Sequence, residues 1–115
     1  MKQLITTDDR TRLLANGQAR AGGQDTDPLP VVRLFTPDAH AIWLLVSLDP
    51  ADGDTAYGLI DLGIGMPALG TVKLSDLAFI VGPRKQPVMR DHYFQATRPL
   101  SEYVRLAQEN GSIPD

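Results

Sequence analysis

Residues 57–74 read Tyr-Gly-Leu-Ile-Asp-Leu-Gly-Ile-Gly-Met-Pro-Ala-Leu-Gly-Thr-Val-Lys-Leu, an apolar strand pattern that breaks into a glycine-rich turn and resumes as a second strand. Gly63, Gly65 and Gly70 stand where the backbone needs positive φ or a close approach, and Pro67 fixes its own φ and has no N–H to donate. A long helix cannot pass through such a midpoint. The segment therefore predicts a corner between two strands, held by backbone chemistry, and no residue set within it names a reaction.

The flanking segments follow from local pattern. Thr6, Thr7, Asp8 and Asp9 offer a hydroxyl cap and two carboxylates for the positive end of a helix, and Gly17 stands where a C′ residue belongs, so a short helix is expected over 8–16. Ile5, Leu13 and Leu14 are too few to hold it without docking on a sheet. Residues 17–30 show neither helical nor strand period and read as a loop with freedom to move. Residues 31–35 are β-branched and apolar around one arginine, ending at the turn Thr36-Pro37-Asp38. Residues 41–48 are apolar on both faces, which predicts a central strand covered on each side. The turn cluster Asp49-Pro50-Ala51-Asp52-Gly53-Asp54 then leads into a strand over 55–62 as an antiparallel hairpin.

After the corner, a fourth strand is expected over 70–74 and a single helical turn capped by Ser75 at 75–77. Residues 78–81 are strand-like and stop at Gly82-Pro83, residues 84–87 form a basic loop, and 88–94 read as an edge strand. From Pro99 the pattern is helical, with Leu100, Tyr103, Val104, Leu106 and Ala107 in one stripe and Gly111 past the end. Trp43, Phe35, Tyr57 and Phe79 lie in predicted strands and are expected in or against the core. The fold class is thus α+β. Residues 1–115 form a single domain whose antiparallel meander sheet of about five short strands is flanked by a short N-terminal helix and a C-terminal helix, the strands following one another too closely for βαβ crossovers.

Composition narrows function by exclusion. The chain has no cysteine, which removes disulfides, thiolate zinc sites and thiol nucleophiles together. Its longest apolar run, residues 41–46, is far shorter than the roughly 20 residues that span a bilayer, and no apolar leader follows Met1, so a soluble cytoplasmic protein that makes no membrane contact is expected. The net charge is −3, and residues 31–70 carry one basic against five acidic side chains. An acidic total argues against sequence-independent nucleic-acid binding.

Several constellations offer chemistry and are weighed on context. Residues 63–68, Gly-Ile-Gly-Met-Pro-Ala, match the letters of a dinucleotide fingerprint, but a strand and not a helix follows, and Arg84 stands where an acidic residue is needed. His40 and His92 each neighbour an aspartate, without a spacing that marks a metal site. Ser47, Ser75, Ser101 and Ser112 lack a nucleophile elbow. Neither metal nor cofactor is expected, and no catalytic residue is assigned. Arg84, Lys85, Arg90 and Arg98, interleaved with His92, Tyr93 and Phe94, make a candidate anion or nucleic-acid surface. The bland alternative makes Arg90-Asp91 a local ion pair. Asp49, Asp52, Asp54 and Asp61 suggest an acidic patch, although tight turns themselves select Asp and Gly.

The order Leu34-Phe35-Thr36-Pro37-Asp38, Trp43-Leu44-Leu45, Leu48-Asp49-Pro50, Gly58-Leu59-Ile60-Asp61-Leu62-Gly63, Gly65-Met66-Pro67-Ala68-Leu69-Gly70, Leu74-Ser75-Asp76-Leu77, Gly82-Pro83, Arg90-Asp91 and Pro99-Leu100-Ser101 resembles the family called domain of unknown function 2958. The likeness runs from Leu4 to about Ile113. It implies a small bacterial protein of the kind often encoded on plasmids and integrative elements near conjugation and antirestriction genes, with no activity, cofactor or catalytic residue to carry over. Where members often read Pro-Glu-Leu-Gly this chain has Pro67-Ala68-Leu69-Gly70, which removes a carboxylate from that position. The leading expectation is a non-enzymatic module that binds an unknown protein partner. Its rival is a small nucleic-acid-associated protein, and a third reading is an enzyme using Asp61, Asp91 and His92. The candidate binding residues are Asp61, Arg84, Lys85, Arg90, Asp91 and His92.

Overall fold

The structure, a computed structural model, describes residues 4–24, 26–37, 39–80, 83–84 and 86–113. Helix α1 (Thr7–Ala21) starts at the expected cap: Thr6 Oγ1 accepts the Asp9 N–H at 3.0 Å, and Asp9 Oδ2 accepts the Thr6 N–H at 3.1 Å. This reciprocal capping box satisfies two donors that the first helical turn leaves open. The helix does not end at Gly17, and the expected loop begins at Gly22 instead. A Cβ on Gly17 would stand 1.7 Å from the Leu48 carbonyl oxygen. Gly17 is there to let helix and strand backbones touch, and its neighbours complete the dock. Asn16 Nδ2 donates to the Val46 carbonyl at 2.7 Å, and the Arg20 guanidinium lies 3.5 Å from the centre of the Tyr57 ring. These tertiary contacts hold the last turn against the local cost of glycine.

Among the described residues the sheet has strands β1 (Val32–Phe35), β2 (Ile42–Leu48), β3 (Thr55–Asp61), β4 (Ala68–Lys73) and β5 (Met89–Arg90). They are ordered β4-β3-β2-β1-β5 with every neighbouring pair antiparallel. The first four make the expected meander. The chain then passes through the short helix α2 (Leu74–Leu77) and returns to the far edge, where Arg90 of β5 lies opposite Leu34 of β1.

At the corner between β3 and β4 two of the three glycines serve as expected, with φ of 79° at Gly63 and 78° at Gly65, whereas Gly70 lies inside β4 without a positive φ and a Cβ there would meet only an ordinary contact with Ile60. Downstream, three expectations give way. Residues 78–80 wind back as a turn, the N–H groups of Ala78, Phe79 and Ile80 donating to the carbonyls of Leu74, Asp76 and Leu77. Phe79 is therefore 84% exposed and no part of the core; Val81 and Gly82 lie outside the described residues. The last strand is confined to Met89–Arg90 because the chain turns at Asp91, whose Oδ1 accepts the Tyr93 N–H at 3.0 Å. Ser75 does not cap α2; it donates its N–H at 2.9 Å and its hydroxyl at 2.6 Å to the carboxylate of Asp54.

Helix α3 (Leu100–Asn110) ends at Gly111 in the left-handed conformation, φ 74°. Its start is fastened from a distant segment, since the Ser101 N–H and hydroxyl both donate to the Asp27 carboxylate. The two long helices cover opposite faces. Leu13 of α1 joins Val32, Leu34, Trp43, Leu45 and Leu48 on one side, and Leu100 and Ala107 of α3 join Leu44, Val46 and Leu59 on the other. Strand β2 supplies apolar side chains to both cores, the central position that its unbroken apolar run predicts.

Two substitutions test this packing by urea denaturation. Gly17→Ala is expected to destabilise by about 3 kcal/mol, although alanine is the better helix former, while Gly22→Ala, which meets only ordinary contacts, is expected to stay near wild type. Trp43→Ala removes a ring that is 3% exposed and is expected to cost about 3 to 5 kcal/mol.

Candidate functional site

Helix α3 packs over β3 and β4, and on that same face the half of the sheet over β1 forms an open cleft. Two adjoining cavities occupy it. One, of about 490 Å³, is lined by residues that include Arg33, Asp91, Phe94, Arg98 and Tyr103. The other, of about 410 Å³, lies at the glycine corner between Thr36, His40, Asp61, Gly63 and Gly65. Arg33 and Ile113 line both.

Asp61, at the end of β3, is 2% exposed. Its Oδ1 accepts the Gly63 N–H and its Oδ2 the Ile113 N–H, each at 2.9 Å. The carboxylate thus ties the corner to the segment beyond α3 and forms one wall of the second cavity. Both its oxygens serve backbone donors.

Arg90 and Asp91 do not pair with each other. Successive strand residues point to opposite faces, so Arg90 turns toward α1 and Asp91 toward the cleft. Arg90 Nε donates to Asp9 Oδ2 at 2.7 Å and Nη2 to Asp9 Oδ1 at 3.3 Å, a two-pronged ion pair against a carboxylate that is almost wholly enclosed. Asp91 Oδ2 instead accepts from Arg33 Nη1 at 3.2 Å. Sequence reasoning missed Asp9 and Arg33 as partners, and a lone charge inside the apolar run Val31-Val32-Arg33-Leu34-Phe35 was the available signal for the latter.

His92 lies on the α1 side of the sheet, Nδ1 3.4 Å from Arg90 Nη1, and lines a separate cavity of about 320 Å³ with Leu4, Ile5, Leu77 and Val88. Asp61, Asp91 and His92 therefore do not share one cavity. Arg84 is an exposed turn residue, Lys85 lies outside the described residues, and Arg98 is exposed with its guanidinium 5.6 Å from the centre of the Tyr103 ring. The basic cluster is divided between faces, with Arg90 committed to Asp9.

The acidic hairpin is held by local bonds. Asp49 accepts the Ala51 N–H at 2.9 Å, Asp54 holds Ser75, and Asp52 accepts the Thr55 hydroxyl at 2.6 Å together with the N–H groups of Asp54 and Thr55. The Thr55 hydroxyl and these N–H donors pull the Asp52 carboxyl down to about 2. Enclosure opposes ionisation of Asp9, but the bonds from Arg90 and Thr6 outweigh it and hold its carboxyl below the usual range. Among the described residues no group of three or more His, Asp or Glu side chains converges as a metal site. No described helix is long and apolar enough to cross a membrane.

One family model, described as Protein of unknown function (DUF2958), matches residues 4–114. No curated protein and no solved structure matches the chain.

The Asp9–Arg90 pair sets an acid limit. Unfolded, the Asp9 carboxyl takes up a proton near 3.8, and in the fold it does so at lower pH. Stability from this group is complete above that value and is lost as pH falls through the native one. Urea midpoints are expected to drop below about pH 4, less steeply in Asp9→Asn. Arg90→Ala, which leaves the enclosed carboxylate unpaired, is expected to cost about 3 kcal/mol at neutral pH.

Proposed function

The chain belongs to the DUF2958 family, and on that premise we propose a non-enzymatic interaction module that docks a protein partner through the glycine corner and the β4 edge. The carrying observation is a run of apolar side chains left in solvent around the corner. Ile64 is 70% and Met66 74% exposed, with Leu62 and Leu69 also exposed on either side of them. Single exposed apolar residues are ordinary, but a contiguous set beside a sheet edge is a recognised mark of an interaction surface.

The neighbouring edge supports the same reading. Strand β4 has β3 on one side and no strand beyond it among the described residues. It contains no proline, and its one charge, Lys73, stands at its end, so the devices that usually protect an edge are weak here. An extended segment of a partner adds to such an edge through main-chain bonds and takes specificity from adjacent apolar contacts. Asp61 and Asp91, the carboxylates of the enzymatic alternative, are held by backbone N–H groups and by Arg33. The family resemblance supplies the setting we propose, an accessory protein of a plasmid or integrative element whose partner belongs to restriction, defence or conjugation machinery.

The test is a photo-crosslinker at Met66, used in the native host to identify a partner that is then purified and titrated calorimetrically. Ile64→Asp combined with Met66→Asp, both at exposed positions, is expected to weaken binding by at least about tenfold without changing the fold. Equal binding by this variant, or steady turnover of a substrate that one polar substitution abolishes, overturns the reading.

A further inference from the structure

We propose that in the free protein the open edge of β4 is closed by the same edge of a second copy, the two strands running antiparallel about a two-fold axis at Thr71. The inference rests on the reading of this edge as a docking surface and adds what occupies it before any other partner arrives. Main-chain geometry sets the register. The Leu74 N–H donates to the Asp54 carbonyl and the Asp49 N–H to the Thr55 carbonyl, each at 2.9 Å. Thr55 thus turns its main chain toward β2, and Asp54 turns its own toward the β4 side. Bonding direction alternates along an antiparallel strand. Ala68, Gly70 and Val72 therefore bond toward Ile60, Gly58 and Ala56, while Leu69, Thr71 and Lys73 present their N–H and carbonyl groups outward.

A second β4 fits this row. With Thr71 opposite its own copy, Leu69 of each strand falls opposite Lys73 of the other, so every outward residue finds a bonding partner. A two-fold contact requires one surface that complements itself in this way. The side chains agree with the main chain. Leu69, Thr71 and Lys73 share one face of the sheet and are exposed there. Thr71 meets Thr71 at the axis, a favourable cross-strand pair, and each Lys73 lays its methylenes along a Leu69. The axis stands perpendicular to the sheet, so one continuous sheet runs through both copies.

Charge and apolar surface point to a copy of the same chain. The protein carries a net charge of −3, so two copies repel over much of their surfaces. Residues 62–72, the corner and most of β4, hold no charge at all. The pairing also carries the corner of each copy, with Ile64 and Met66 exposed, toward the α2 end of the other, where Phe79 is 84% exposed. A contact built on three outward residues is at the small end for specific interfaces. It therefore exchanges, and the edge becomes free for another protein.

Sedimentation velocity on the intact protein is expected to show a monomer–dimer equilibrium with a Kd of about 1 to 100 μM. Thr71→Lys sets like charges face to face at the axis and is expected to weaken the dimer at least about tenfold, with unchanged circular dichroism. Because the chain has no cysteine, single substitutions read the register. Thr71→Cys is expected to give a disulfide-linked dimer under mild oxidation. Lys73→Cys is not, since its two copies stand roughly 13 Å apart along the strands, beyond disulfide reach. The pairing is overturned by a protein still monomeric at about 500 μM, by a dimer as tight in Thr71→Lys as in wild type, or by crosslinking as ready at Lys73→Cys as at Thr71→Cys. None of these results touches the docking of another protein, which fails instead on the paired Ile64 and Met66 substitutions.

Discussion

Burial of β2 on both faces is the constraint from which the rest of the molecule follows. A strand that sends Trp43, Leu45 and Leu48 one way and Leu44 and Val46 the other has no solvent side, so each face must be roofed. Helix α1 roofs one, close enough that Gly17 meets a strand carbonyl. Helix α3 roofs the other but is displaced toward β3 and β4. That displacement leaves the β1 half of its face as a cleft, so the candidate site is a by-product of where the second helix rests.

Carboxylates do the fastening between these layers. Asp9 reaches Arg90, Asp27 holds the start of α3, Asp54 holds Ser75, and Asp61 holds the segment past α3. Each joins elements that are remote in sequence. Two of them, Asp54 and Asp61, belong to the acidic patch expected from the sequence, yet Asp61 is buried and Asp54 is taken up by Ser75. Bonds between ionised carboxylates and backbone donors are stronger than neutral ones, which suits a chain that has no cysteine to crosslink.

What was legible in the sequence is what depends on period and on local backbone chemistry. The apolar run of β2, the positive-φ glycines at the corner, the apolar stripe of α3 and its closure at Gly111 all follow from rules that act over a few residues. The failures share one cause. Gly17 looked like a helix stop because a close approach to Leu48 cannot be seen in a linear string, and Arg90-Asp91 looked like a pair because opposite faces of a strand are adjacent in sequence. Phe79 read as core because Ala-Phe-Ile-Val is strand-like, while the carbonyls of α2 captured its backbone first. Of the candidate site, Asp61 and Asp91 were picked out as residues but not by role, and Arg33, which joins the two cavities, was not picked out at all.

The crossing of β5 to the far side of the sheet also bears on how the chain matures at the ribosome. Until Arg90 emerges, Asp9 has no counter-ion and β1 has no outer neighbour; until Ile113 emerges, Asp61 lacks its second donor. The meander made first is therefore an unfinished half-product with an enclosed charge and a bare flank. The last bonds of this fold therefore close only once the segment beyond α3 has been made, and the earlier strands wait on it.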